Sequence, residues 1–222
     1  MTDELDDPRS LALPDWSALT GLADALVARS SDRFAGWGNV VIFATSTAAR
    51  IGEVAGVRVG DVDTMSWTWT VRRQTTQSPG GVVDKGTKGK RARSVPLIAE
   101  VRELVAGRIA AAGPDPAARL FTGPRSGRIT TAVLRDATHW DEVVTALGYE
   151  HLRRHDLRHT GLTSNAGVPV HVLRKIAGHG SLTTTQRYLH PDATRISNAS
   201  DALPLCLSVA RRPSTEEEEQ AG

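Results

Sequence analysis

The stretch Trp67-Thr68-Trp69-Thr70-Val71 decides the fold class, because apolar and polar side chains alternate in it and strand-forming residues predominate. Two further short strands are predicted at Val82-Val83 and at residues 94–97. Between them, the glycine-containing run at residues 86–90 is predicted to form a hairpin tip. Residues 74–81 are predicted to be a flexible connection. This part of the chain is therefore predicted to contain a small three-stranded antiparallel sheet.

On both sides of this sheet, apolar residues recur at the spacing of an α-helix. Helices are predicted from residue 15 onward, then at residues 37–48, 50–57, 98–109 and 130–147, with short helices after His151. The sequence thus predicts a mixed, mainly α-helical fold for residues 15–212. Residues 1–14 are acidic and contain prolines, and we expect them to form a disordered lead-in. Residues 213–222 are predicted to form a disordered acidic tail.

Composition excludes several classes of protein. Of the 222 residues, 40% are hydrophobic and 23% are charged, which is ordinary for a globular domain. No apolar run approaches the roughly 20 residues needed to cross a bilayer, and the N-terminus lacks the pattern of a secretory signal. Cys206 is the single cysteine, so neither an intrachain disulfide nor a multi-cysteine metal site is possible. These features predict a cytoplasmic protein.

The net charge of +2 hides an uneven distribution. Eight of the 25 acidic residues lie in two end clusters, at residues 3–7 and 216–219, whereas all 27 Lys and Arg residues lie between them. A strongly basic body suggests a polyanionic partner such as nucleic acid, although a well-solvated surface would show the same charge.

Three polar segments interrupt the apolar pattern. Arg50 and Glu53 lie three residues apart and share a helix face, where a simple surface ion pair is the alternative interpretation. Residues 85–93 hold five cations and no acid, which suits either contact with phosphates or a solvated loop. Residues 151–188 hold five histidines, six Lys or Arg and one acid. Because neighbouring arginines repel a metal ion, this segment favours a phosphate over zinc.

In chain order, Arg50, Lys88, His155, Arg158, His179 and Tyr188 resemble the catalytic set of the tyrosine recombinases, the phage-integrase family. The resemblance covers roughly residues 40–190. Four strings carry it: Ala49-Arg-Ile-Gly-Glu53, Lys88-Gly-Lys-Arg-Ala-Arg-Ser-Val-Pro-Leu97, His155-Asp-Leu-Arg-His-Thr160 and Gly178-His-Gly-Ser-Leu-Thr-Thr-Thr-Gln-Arg-Tyr188. One departure is Ala48-Ala49, where the family often shows Gly followed by Leu or Met.

The resemblance implies the tyrosine recombinase catalytic-domain fold and site-specific cleavage and rejoining of DNA. Tyr188 would attack the scissile phosphate, form a 3′-phosphotyrosine and release a 5′-hydroxyl. The phosphotyrosine conserves the energy of the broken bond, so neither ATP nor another cofactor is needed, and no metal is expected. Arg50 and Arg158 would bind the non-bridging oxygens, to which His179 would donate a further hydrogen bond.

The remaining roles are implied in the same way. His155 would accept the tyrosine proton, Lys88 would protonate the departing 5′-oxygen, and Glu53 would orient the site by bonding a neighbouring cation or histidine. Lys85 and Lys90 are alternatives to Lys88, which is favoured because the family's lysine often lies eight residues before the proline. The predicted DNA contacts are Lys85, Lys90, Arg91, Arg93 and Arg187.

The family also suggests partners. The substrate would be double-stranded DNA in the nucleoid of a prokaryotic or phage-infected cell. The apolar segment 202–210 would join a neighbouring protomer in a homotetramer, or else pack within its own chain. Family members usually carry an N-terminal core-binding domain, so the chain is predicted to be an excised catalytic domain or a short member. The functional alternatives are a type IB topoisomerase and a catalytically silent DNA-binding module.

Overall fold

The structure is a computed structural model that describes residues 12–86, 92–164, 168–178 and 185. These residues belong to the first of two units of the chain, Met1–Leu189. The described helices are α1 Trp16–Arg29, α2 Gly36–Ser46, α3 Ile51–Gly56, α4 Ala99–Ala112, α5 Thr131–Thr138, α6 Trp140–Ala146, α7 Asp156–Ser164 and α8 Val170–Ala177. The described strands are β1 Val62–Asp63, β2 Thr68–Val71, β3 Arg73–Ser78, β4 Gly81–Gly86 and β5 Arg93–Pro96, and a short 3₁₀ helix spans Val59–Asp61.

The alternating stretch forms β2, the central strand of a three-stranded antiparallel sheet ordered β1-β2-β5. Trp69 and Val71 of this strand are buried, whereas Thr68 and Thr70, which alternate with them, are half-buried. Trp69 lies opposite Val62 on one side and Val95 on the other. The prediction of a small three-stranded antiparallel sheet is therefore confirmed, but its membership is partly wrong: β1 takes the place of the Val82-Val83 strand, which does not pair with β5 as the predicted hairpin at residues 86–90 requires.

The prediction for residues 74–81 is wrong, because most of them form β3. This strand pairs with β4, so that Val82 and Val83 lie opposite Gln77 and Thr76 in a separate two-stranded hairpin. Gly80 and Gly81 make its turn with φ values of 90° and 126°, which glycine adopts readily. The sequence of β3, Arg-Gln-Thr-Thr-Gln-Ser, is polar throughout. It lacks the hydrophobic alternation that predicts a strand, and the strand forms through backbone pairing with β4.

The hydrophobic core joins the helices to the three-stranded sheet. Asp15 caps α1 by accepting a hydrogen bond from the backbone N–H of Ala18 (2.8 Å), and the buried face of α1 packs on α2. From α2, the ring of Phe43 contacts those of Trp69 and Phe121 at centroid distances of 5.2 and 4.9 Å. Burial of such large aromatic side chains is a major source of stability.

The described core includes Leu13, which lies within the predicted lead-in of residues 1–14. Leu13 is 4% exposed and belongs to the core, and its backbone N–H donates to Oγ1 of Thr160 (3.0 Å). Residues 1–11 and the predicted tail lie outside the described residues.

The helix predicted over residues 130–147 is two helices, because the chain turns at His139. This residue adopts a left-handed conformation (φ 51°, ψ 46°) that ends α5 and precedes α6. After the break, the indole N–H of Trp140 donates to the carbonyl of Leu152 (2.9 Å), so α6 holds the segment that leads into α7.

The approach of α7 to α2 is close at Gly161, where a Cβ atom would lie 2.0 Å from the carbonyl oxygen of Thr45. A second, smaller apolar cluster formed by Ala48, Leu162, Leu173 and Ala177 packs α7 against α8. In the described part of the chain, none of the helices has the length and apolar character needed to cross a membrane.

Candidate active site

The junction between α2 and α3 places Arg50 at the start of α3. The backbone N–H of Arg50 donates to Oε2 of Glu53 (2.9 Å), and its guanidinium lies 3.4 Å from Oε1 of the same carboxylate. The Arg50 side chain remains 46% exposed. Its backbone is therefore fixed by the fold, while its guanidinium remains accessible to a ligand.

The start of α7 places the two other described candidates for catalysis. His155 immediately precedes α7, and the backbone N–H of Arg158 donates to its carbonyl (3.1 Å). Arg158 is 3% exposed, and its two terminal nitrogens donate to the carbonyls of Ala48 and Ala177, each at 2.6 Å. The guanidinium of Arg158 thus joins the α2–α3 junction to the end of α8.

Arg50, His155 and Arg158 line one cleft of about 270 Å³. Its other lining residues are Ala49, Ile51, Gly52, Gln74, Thr75, Thr76, Thr131 and Arg154. No carboxylate is among these described residues, so the cleft combines three arginines, a histidine and hydroxyl donors. A second groove of about 300 Å³ shares Gly52, Thr75, Thr76 and Thr131 with it. Such a lining suits the phosphates of an extended polyanion.

The electrostatics of the cleft favour a neutral His155. Partial desolvation lowers the pKa of His155, the positive charge of Arg158 and to a lesser degree Arg50 lower it further, and Asp156 opposes them. The ring of His159 lies edge-on to that of His155 at 5.3 Å, and its pKa is also lowered, mainly by burial. A neutral imidazole has a lone pair with which to accept a proton.

Glu53 is buried, yet it is ionised. Burial alone would raise the pKa of Glu53, but the hydrogen bonds and charge of Arg93 and the contacts with Arg50 outweigh it and lower the pKa. The two terminal nitrogens of Arg93 donate to the two oxygens of Glu53, each at 2.8 Å. This bidentate geometry is the strong form of an arginine–carboxylate pair.

Arg93, which was expected to contact DNA, is instead engaged within the protein. Besides binding Glu53, its Nε donates to the carbonyl of Ile176 (2.8 Å), and its side chain is only 13% exposed. Lys85, by contrast, lies exposed on β4 opposite Gln74. The other predicted site residues lie outside the described residues: Lys88, Lys90, Arg91, His179, Arg187 and Tyr188.

Several lining residues escaped the sequence interpretation. Thr75 and Thr76 lie on β3, the strand that was missed, and Thr131 begins α5. Arg154 also lines the cleft, and its guanidinium donates to Asp141 (2.9 Å). In the sequence, the position of Arg154 beside His155 in a cation-rich segment is the feature that indicates its place in the cleft. Among the described residues, no group of three or more His, Cys, Asp or Glu side chains could hold a metal ion.

Fold and site together define a mainly helical domain with an arginine–histidine cleft suited to a phosphodiester. The phage integrase family model matches residues 29–195, which include every described residue of this cleft. The chain belongs to the phage integrase family.

The curated relatives are tyrosine recombinases. The chain is 30% identical over 156 residues to tyrosine recombinase XerC of Bifidobacterium longum (strain DJO10A), covering 69% of this chain and 42% of that protein. It is 29% identical over 204 residues to XerC of Methylobacterium nodulans, covering 87% of this chain and 55% of that protein. The chain therefore spans about half the length of these relatives.

Solved structures confirm the predicted catalytic-domain fold. The Tn1549 transposon integrase in complex with a circular intermediate DNA has a TM-score of 0.68 and 20% identity, covering 86% of this chain and 65% of that one. The catalytic domain of bacteriophage HP1 integrase has a TM-score of 0.55 and 21% identity, covering 88% of this chain and 97% of that one.

Proposed function

We propose that this chain is the catalytic part of a site-specific DNA recombinase or integrase. Convergence of Arg50, His155 and Arg158 on one cleft is the observation that carries the proposal, because Arg50 is far in sequence from the other two and the three residues come from two of the four strings typical of the family. The names of the curated relatives support the same activity.

The proposed reaction is in-line displacement at a DNA phosphate. The Tyr188 oxygen forms a bond to phosphorus, and the bond from phosphorus to the 5′-oxygen breaks, so a 3′-phosphotyrosine and a free 5′-hydroxyl result. The transition state carries extra negative charge on its non-bridging oxygens. Two guanidiniums, from Arg50 and Arg158, lie in the cleft and match this charge in sign and in hydrogen-bond geometry. His179 is proposed to add a further donor.

Proton transfer accompanies both bond changes. The lowered pKa of His155 keeps its imidazole neutral near pH 7, as a proton acceptor for Tyr188 must be. The cationic surroundings also favour the ionised form of a tyrosine, whose ordinary pKa is near 10. Lys88 is proposed to give the proton to the departing 5′-oxygen. Because the phosphotyrosine conserves the bond energy, a second 5′-hydroxyl can reverse the reaction on a new strand.

Double-stranded DNA is the proposed substrate. The groove that adjoins the cleft would receive a neighbouring stretch of the phosphate backbone, since Thr75, Thr76 and Thr131 line both. The Tn1549 integrase structure contains DNA, which supports this assignment. Assembly of a homotetramer through residues 202–210 is part of the proposal and lies outside the described residues.

The test is capture of a covalent adduct. The protein is incubated with a pool of nicked duplexes with randomised arms, so that cleavage releases a short fragment and traps the adduct, which is scored in denaturant. We expect adduct with the unaltered chain and none with Tyr188→Phe, which removes only the nucleophilic oxygen and should keep DNA affinity within about threefold.

Tyr149→Phe is the matched control, because Tyr149 is the only other tyrosine and packs against the core. If Tyr188→Phe still forms the adduct and Tyr149→Phe does not, the nucleophile would be Tyr149 rather than Tyr188. DNA binding without any adduct would indicate a silent binding module. Relaxation of supercoils without exchange between two specific duplexes would indicate a topoisomerase.

A further inference from the structure

Arg93 lies where three segments of the candidate site meet. It is the first residue of β5. Only Ala92 separates it in the chain from the basic segment 87–91, which contains Lys88. It binds Glu53, whose carboxylate also holds the backbone N–H of Arg50 (2.9 Å). It also binds the carbonyl of Ile176, three residues before His179 in the chain.

The geometry of Arg93 uses the whole guanidinium. Nε and both terminal nitrogens each make a hydrogen bond of 2.8 Å to a protein acceptor. Its side chain also packs against Gly178, where a Cβ atom would lie 3.0 Å from Cδ and 3.2 Å from Nη1 of Arg93. Lysine cannot reproduce this pattern, because its ammonium is a single point of hydrogen bonding rather than a planar fork.

We propose that Arg93 is a positioning residue that holds the Arg50 segment, the strand after the Lys88 segment and the end of α8 in one arrangement. It acts through Glu53 and Ile176 and touches no DNA. The reaction it serves is the proposed strand cleavage, so this inference rests on the proposed function. Its structural content, that Arg93 holds Glu53 against the Arg50 backbone, is testable separately.

The chain offers a matched control in Arg119. The side chain of Arg119 is 11% exposed, close to the 13% of Arg93. Its guanidinium also binds a carboxylate, that of Asp84 (2.6 Å), and a backbone carbonyl, that of Ala55 (2.7 Å). Arg119 lies outside the cleft lining and contacts neither Glu53 nor Arg50 in any described hydrogen bond, although one of its terminal nitrogens makes a longer hydrogen bond (3.2 Å) to Oγ1 of the lining residue Thr75. Its loss should therefore cost similar stability without disturbing the Arg50 segment.

The first measurement is hydrogen exchange of the Arg50 amide by NMR on the full chain. In Arg93→Gln we expect this amide to exchange about tenfold faster or more, because Glu53 is no longer held against it. In Arg119→Gln the exchange rate of the Arg50 amide should be unchanged relative to that of the core amide of Val105, which serves as the reference for overall stability. Arg93→Lys keeps a cation beside Glu53 and guards against loss of the fold, and it should give an intermediate rate. An unchanged Arg50 rate in both Arg93 variants overturns the proposal.

The second measurement is the single-turnover rate of adduct formation at saturating nicked duplex. Because small displacements of catalytic groups can cost about 10²-fold, Arg93→Gln should lose about that much rate while its DNA affinity stays within about threefold. Arg93→Lys should recover only part of the rate, and Arg119→Gln should cleave within about threefold of the unaltered chain. Weakened DNA affinity with an unaltered saturated rate would make Arg93 a DNA contact and overturn the proposal.

The two measurements separate the two proposals. Absence of adduct from the unaltered chain would contradict the proposed function, whereas the exchange rate of the Arg50 amide would still decide the role of Arg93.

Discussion

At the scale of single residues, the protonation state of His155 links catalysis to stability. Its pKa lies below the ordinary value of 6.5, because partial desolvation and the charges of Arg158 and Arg50 disfavour the imidazolium. His159, stacked edge-on beside it, is shifted in the same direction. The same surroundings that prepare His155 to accept a proton therefore resist its protonation when the pH falls.

The sign of the resulting pH dependence follows from linkage. Below pH 6.5 the unfolded chain takes up protons at these histidines before the folded chain does, so the free energy of unfolding decreases as the pH falls. We expect the midpoint of urea denaturation to drop between about pH 7 and 5. His155→Gln and His159→Gln should each reduce this drop. A drop as large as that of the unaltered chain in both variants would contradict the assignment.

How much of the site is readable from sequence depends on the distance between partners. Arg50, His155 and Arg158 lie in short recognisable strings, and the structure brings them to one cleft. For Glu53, the sequence predicts only a bond to a neighbouring cation or histidine. Besides Arg50, its partner is Arg93, 40 residues away, and nothing local shows that the Arg93 guanidinium is engaged inside the protein. The sequence around a basic residue in a basic segment does not show whether its side chain binds DNA or a buried carboxylate.

At the scale of secondary-structure elements, the contact between α2 and α7 positions the residues at the base of the cleft. Gly161 lets the two helices approach, and one turn earlier Arg158 binds the carbonyl of Ala48 in the junction that follows α2. Any side chain at position 161 would meet backbone rather than a flexible side chain, so the helices would have to separate. Packing here therefore determines where the Arg158 guanidinium lies.

Gly161→Ala should consequently destabilise the protein by about 1–3 kcal/mol, because overpacking outweighs the higher helix propensity of alanine. The matched control is Gly107→Ala in α4, where nothing lies within 4 Å of the added Cβ. There the propensity term acts alone, and we expect stabilisation of up to about 1 kcal/mol. Chemical denaturation of both variants measures the difference, and equal shifts of the same sign would contradict the packing argument.

Elements were predictable where hydrophobic periodicity forms them. The helices α1 to α4 and strand β2 follow their apolar patterns. Strand β3 does not, because it is polar and owes its conformation to backbone pairing with β4. The break between α5 and α6 occurs at His139, a non-glycine residue in the left-handed region, so the usual glycine or proline signal is missing.

At the scale of the whole molecule, at least four of the 27 cations are engaged within the protein rather than available to DNA. Asp84 is bound by Arg58 and Arg119, Asp61 by Arg73, and Glu53 by Arg93. These arginines hold loops, strands and α3 together, and their guanidiniums are engaged by carboxylates within the fold. The number of phosphates contacted is therefore smaller than the number of Lys and Arg residues suggests, and it is this number that sets the salt dependence of binding.

Binding to duplex DNA should accordingly weaken steeply with salt. For about four phosphate contacts, affinity should fall roughly a hundredfold between about 50 and 200 mM salt. Lys85→Gln removes an exposed cation and should lower the slope of log affinity against log salt by about one, whereas Arg119→Gln, whose charge is bound to Asp84, should leave it unaltered. Fluorescence anisotropy across a salt series measures these slopes. A flat profile would contradict phosphate binding by this surface, and an equal effect of the two substitutions would contradict the division between exposed cations and cations engaged within the fold.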